Sequence, residues 1–137
     1  MPEKKTLERA RRDRRQGKAP TTQAGEFVHE EIEHVRQGKH GARSTRQAIA
    51  IGLSKARRAG VKLPPPGKGS SARTKRQAAR DSARGRRAGR AEPSARRSRA
   101  SSRALKREGH RAASRSALSR QARAAGRRRR SHDTAIA

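Results

Sequence analysis

The chain has 137 residues, with 39 Lys and Arg against 11 Asp and Glu, giving a formal charge of +28. Only 28% of residues are hydrophobic and Phe27 is the sole aromatic, so a large packed core is excluded. Cysteine is absent, which removes disulfides, thiolate metal sites and a Cys nucleophile, and no run approaches the roughly 20 apolar residues of a membrane span.

Met1-Pro2-Glu3-Lys4-Lys5 opens on charge, so no secretory signal is expected and the protein reads as cytoplasmic. Residues 3–16 are mostly good helix formers, with Glu8 four residues before Arg12 and Gly17 as the stop. Leu7 is the only large apolar side chain there. This first helix is therefore expected to have little to dock against and to depend on a bound partner for its order. Arg9, Arg11, Arg12, Arg14 and Arg15 are expected to face solvent or phosphate.

A second helix is predicted from Thr21 or Thr22, either of which can cap it, to Gly38. At about 100° per residue, Ala24, Phe27, Val28, Ile32 and Val35 form one stripe, with Glu26, Glu30 and Glu33 opposite. A short basic loop, Lys39-His40-Gly41-Ala42-Arg43, follows. The third helix has the clearest boundaries. Ser44 and Gln47 have the spacing of a capping box, and Gly60 with Val61 that of a left-handed C-terminal cap. Ala48, Ile49, Gly52, Leu53, Ala56 and Ala59 share its apolar face, while Arg46, Lys55, Arg57 and Arg58 fall on the other side.

Helices two and three, joined by a short loop, predict an αα-hairpin. Its core would be Phe27, Val28, Ile32, Val35, Ile49, Leu53, Val61 and Leu63. So small a core points to a homodimer or to folding on a polyanion.

Composition changes at Leu63-Pro64-Pro65-Pro66-Gly67, a stiff connector. Residues 1–66 hold 16 Lys and Arg against 7 Asp and Glu, a surplus of nine; residues 67–137 hold 23 against 4, a surplus of 19. The fold class expected is mainly α: a helical module over 1–66 and an Arg/Ala/Ser-rich tail over 67–137 that is largely disordered alone. The tail contains one short repeat, Ala104–His110 echoed by Ala117–Arg123, too few copies for a solenoid.

Thr22-Gln23-Ala24-Gly25-Glu26-Phe27-Val28, Glu31-Ile32-Glu33-His34-Val35-Arg36, Gly38–Thr45 and Gln47–Val61 resemble the core of a family of small basic bacterial proteins of unknown function. The resemblance covers about residues 1–66 closely and the tail loosely. Members are often labelled DNA-binding, and the resemblance implies a bacterial cytoplasmic protein. It carries over no catalytic or ligand residues.

No enzymatic constellation is found. His29 and His34 lie in a zinc-protease-like stretch, but at a spacing of five the second ring turns about 140° from the first, so no metal is expected there. Gly67-Lys68-Gly69-Ser70-Ser71 lacks the spacing of a phosphate loop and reads as a linker. Glu26, Glu30, Glu31 and Glu33 form the one acidic island. They are expected to pair with basic residues of the third helix or the tail, or to dock a basic partner protein, with no pocket to perturb them. Arg84-Gly85-Arg86 and Ala88-Gly89-Arg90 have the look of minor-groove insertions, yet Arg87 stands where a hook-like motif carries Pro, so phosphate contact is the expectation.

The guanidinium surplus needs an external polyanion, and a planar donor fork suits phosphate. The expected function is non-enzymatic, sequence-independent binding of duplex DNA, linker-histone-like and nucleoid-associated, without cofactors. The residues assigned to it are Arg43, Arg46, Lys55, Arg57, Arg58, Arg84, Arg86, Arg87, Arg90, Arg96, Arg97, Arg127, Arg128, Arg129 and Arg130. The lack of aromatics argues against base stacking on single strands. Structured RNA is the nearest rival. A protein-binding hairpin with an electrostatic anchor is the other.

Overall fold

A computed structural model describes residues 2–87 and 95–136, with side chains described except at 95 and 131–136. Among these residues every regular element is a helix. The elements in chain order are α1 (Lys4–Arg15), α2 (Pro20–Arg36), α3 (Thr45–Arg58), α4 (Ala72–Arg86), α5 (Ala95–Lys106), a 3-10 turn (Arg111–Ala113) and α6 (Arg115–Ile136).

The predicted hairpin is present: α2 packs along α3, and α1 lies on the other side of α2. Two boundary signals of α3 are used, the left-handed cap in full and the capping box in half, since the Gln47 side chain accepts from the Arg43 N–H. Ser44 Oγ accepts the Gln47 backbone N–H at 3.1 Å. At the far end of α3, Gly60 takes φ +100°, the Gly60 N–H donates to Arg57 O, and the Val61 N–H donates to Ala56 O. That is a Schellman closure, and it turns Val61 back into the core beside Ala56. One boundary differs. Neither Thr21 nor Thr22 caps α2, which starts at Pro20 after Ala19 with no side-chain cap. Proline presets the first helical φ and lacks an N–H that would otherwise go unbonded, so the helix can begin one residue before the threonines.

Two small clusters make the core. Ala10, Ala24, Phe27, Ala56 and Val61 form one, with Leu7, Leu53, Ala59 and Leu63 at its edge. Val35, Ala42, Ala48, Ala112 and Ala113 form the other, with Ile32 against it. Val28 and Ile49, expected in the core, are only half-buried and belong to neither. Helix α1 docks despite its single leucine. It buries Thr6, Ala10 and Asp13, small or short side chains that let two backbones approach.

The expectation of a disordered tail is corrected. Residues 67–87 and 95–136 are mostly helical, and parts of them build the core. Helix α4 returns onto α3 through Ala78, Asp81 and Gly85. Asp81 is buried and accepts from Ser54 Oγ at 2.5 Å and Gln77 Nε2 at 3.2 Å. Gly85 sits so close to α3 that any Cβ would overlap the Arg57 carbonyl oxygen. Farther along, Gly41 N–H donates to Leu105 O at 2.8 Å and Ala42 N–H to Gly109 O at 3.0 Å. Thr45 Oγ1 donates to Ala112 O at 2.5 Å, and Arg36 Nε donates to Ala113 O at 3.2 Å. The loop at 39–43, read as a simple basic connection, is thus the seat for residues 105–113.

Composition missed this because large apolar residues do not hold the tail. Close backbone approach over Ala and Gly holds it, together with main-chain hydrogen bonds to the Leu105 and Gly109 carbonyls. Helix α5 packs on no other described helix, and α6 touches α3 and the 3-10 turn.

Candidate nucleic-acid interface

Each tail helix carries a cationic stripe set by its own sequence. At about 100° per residue, Arg73, Arg76, Arg80 and Arg84 of α4 fall within about 80° of arc. Arg96, Arg99, Arg103 and Lys106 do the same on α5, and Arg120, Arg123, Arg127 and Arg130 on α6. With a rise of about 1.5 Å per residue, each stripe runs about 15 Å. The buried Ala78 and Asp81 and the half-buried Gly85 lie on the far side of α4 from its stripe, so docking on α3 turns those arginines outward. On α6 the half-buried Ala117, Leu118, Gln121, Ala124 and Ala125 lie away from the arginine stripe, while the half-buried Gly126 lies beside Arg130. All stripe residues are exposed except Arg84, which is half-buried.

The residues assigned from sequence divide into two groups. Arg43, Arg46, Arg86, Arg87, Arg96, Arg97, Arg127, Arg128, Arg129 and Arg130 are exposed. Lys55, Arg57 and Arg58 are half-buried and make contacts within the fold. Lys55 Nζ bonds the fully buried carboxylate of Glu31. Arg57 Nη2 donates to Pro64 O at 2.8 Å, and Arg58 Nε lies 3.9 Å from Asp81 Oδ1. Arg84 is half-buried at the edge of the α3–α4 contact, and Arg90 lies outside the described residues. Arg84-Gly85-Arg86 is helical and pressed against α3, so it is not an extended insertion. Sequence reasoning passed over Arg73, Arg76, Arg80, Arg99, Arg103, Lys106, Arg120 and Arg123. Helical periodicity applied to the tail would have found them.

The acidic island is a second, different feature. Glu30 and Glu31 are buried, although Glu30 was expected on the outer face of α2; α1 covers it, and the Glu3 N–H donates to Glu30 Oε1 at 2.5 Å. Glu3, Glu30, Glu33 and His34 line a groove of about 470 Å3 between α1 and α2, where no pocket was expected. Hydrogen bonds first from His34 and then from Lys39 hold the Glu3 carboxyl below the usual carboxylate range. Burial, then the neighbouring Asp13 carboxyl, pushes Glu26 above it.

Residues 3–67 match the model of a family of unknown function, DUF6496. No curated protein and no solved structure matches the chain. The matched region holds α1 to α3 and the acidic island. All three cationic stripes lie beyond it. No described helix is long and apolar enough to cross a membrane.

Proposed function

We propose that this protein is a non-enzymatic binder of a phosphate polymer, with duplex DNA as the partner, and that α4, α5 and α6 make the contact. The observation that carries the reading is the three four-cation stripes, each aligned along one helix face. A helix bearing four charges over about 15 Å faces a duplex that presents one phosphate charge per roughly 1.7 Å of axis, so several contacts can form at once. Stripes of arginine contact phosphates rather than base edges, so sequence discrimination is slight. Arg43 and Arg46, exposed at the start of α3, extend the cationic surface onto the N-terminal region.

A bacterial source, a place in the nucleoid and a linker-histone-like compaction role belong to the same proposal. So does pairing of two copies, although α4 and the 3-10 turn already supply some of the packing that the short hairpin core lacked. The test is direct competition at physiological salt between a labelled 30-base-pair duplex and a folded RNA of equal phosphate number. Preferential retention of the duplex is expected. Preferential retention of the RNA would replace DNA by structured RNA as the partner, and no salt-sensitive retention of either would remove the proposal.

A further inference from the structure

Two imidazoles and one buried carboxylate converge where α2 meets the 39–43 loop. Glu31 is 0% exposed. Its Oε1 is taken by Lys55, while its Oε2 has no hydrogen-bond partner. His40 Nε2 stands 3.2 Å from that oxygen. The other nitrogen of His40, Nδ1, lies 2.9 Å from Gly41 O, and a carbonyl can only accept, so Nδ1 carries the hydrogen. His34 repeats the pattern. Its Nε2 is 3.2 Å from the Glu3 carboxylate, an acceptor, while its Nδ1 lies 3.9 Å from Glu31 Oε1. The rings meet edge to face with centroids 5.9 Å apart. In their neutral tautomers both rings therefore aim a lone pair at the Glu31 carboxylate, His40 at the oxygen that lacks a donor and His34 at the one that Lys55 holds. That arrangement asks for a cation.

The geometry points to a divalent transition-metal site, of the kind that accepts Zn2+, formed by Glu31, His34 and His40. One donor atom from each lies within 4.8 Å of the others. The 3.2 Å between His40 Nε2 and Glu31 Oε2 is close to the roughly 3.4 Å edge of a tetrahedron built with metal–ligand bonds of about 2.0–2.1 Å. Outer partners complete the pattern. A histidine that ligates a metal usually donates its remaining N–H to a carboxylate or a backbone carbonyl, and here the Glu3 carboxylate accepts from His34 and the Gly41 carbonyl from His40. Three protein ligands leave a fourth position for water. Two nitrogens and an oxygen suit a borderline ion better than calcium or magnesium, which take oxygen.

The site has a structural consequence. It would tie His40 to α2, and the next two residues, Gly41 and Ala42, hold the Leu105 and Gly109 carbonyls. Metal binding would then fasten residues 105–113 to the N-terminal helices. A fold with so small a core gains stability from such a clip.

The experiment uses the untagged full-length chain, stripped with chelator and titrated with Zn2+ by calorimetry, with the melting temperature followed in parallel. One equivalent is expected to bind and to raise the melting temperature. His40→Ala and Glu31→Gln should each weaken binding at least 100-fold, and Glu3→Gln, which acts only through His34, about 10-fold. His29→Ala, exposed and on another face, should leave affinity unchanged. Because Glu31→Gln also strips Lys55 of its partner, His40→Ala with an unchanged helical circular-dichroism spectrum decides the matter. Binding equal to wild type in folded His40→Ala, or no stoichiometric binding in the wild type, overturns the site.

Discussion

The two halves of this molecule handle charge in opposite ways. In α1 to α3 carboxylates are drawn inward and answered: Glu31 by Lys55, Glu30 by the Glu3 amide, Glu3 by His34 and Lys39. Among the described side chains of α4 to α6 one acidic residue lies inside, Asp81, and it fixes α4 to α3, while twelve stripe cations face outward or toward the edge of the packing. A buried carboxylate is stable only with partners that the fold supplies, so the first region is specified by pairing. An outward arginine still presents donors to solvent and so can reach an external phosphate. The same chain thus uses ionic groups as structure in one half and as surface in the other.

That contrast can be broken from either side. The largest effect is expected from converting Arg73, Arg76, Arg80, Arg120, Arg123 and Arg127 to Gln. Duplex affinity at low salt should fall by about 10³-fold or more, since each lost phosphate contact is a lost counterion release, while the melting temperature stays within a few degrees. Gel-shift titration and thermal melting measure the two. Next comes Lys55→Ala, which leaves the Glu31 carboxylate buried without its main cation. Stability should drop by about 3 kcal/mol in urea titration, with duplex affinity of the folded protein nearly unchanged. If Lys55 instead contributes mainly to phosphate binding, affinity will fall and stability will not.

Gly85→Ala sharpens the comparison at the junction. A Cβ there meets the Arg57 carbonyl, so α4 must shift off α3, at a cost of about 1–3 kcal/mol. Amide exchange should speed up through residues 72–86 ahead of the α2–α3 hairpin. The smallest effect belongs to Glu26. Its carboxyl is raised in the folded state, so its contribution to stability is complete below the unfolded carboxylate pKa and is lost as pH rises through the folded one. At pH 7 the ionised group opposes folding. Glu26→Gln should therefore stabilise by up to about 0.5 kcal/mol at pH 7 and by nothing near pH 3, as read from paired urea titrations.

The hairpin was legible in the sequence because its signals are local and redundant. Ser44 with Gln47, Gly60 with Val61, and the Ala24–Phe27–Val35 stripe each specify the same two helices. The order of the tail was not legible, because Asp81, Gly85, Ala112 and Ala113 resemble low-complexity filler until their partners Ser54, Arg57 and Thr45 are known. Burial of Glu30 was hidden for a similar reason: a helical wheel of α2 cannot show that α1 covers its polar side. The cationic surface was legible in amount but not in arrangement. Counting arginines selected the dense Arg127–Arg130 run, whereas helix formation distributes the charge into stripes that begin at Arg73, Arg96 and Arg120.

The most direct measurement is the salt dependence of duplex affinity, compared between the wild-type chain and the six-arginine variant. If the stripes hold the phosphates, the slope of log K against log salt should flatten by about 0.9 for each contact removed, up to about 5 in all. A variant that keeps the wild-type slope would show that the stripes are not where this protein meets a polyanion.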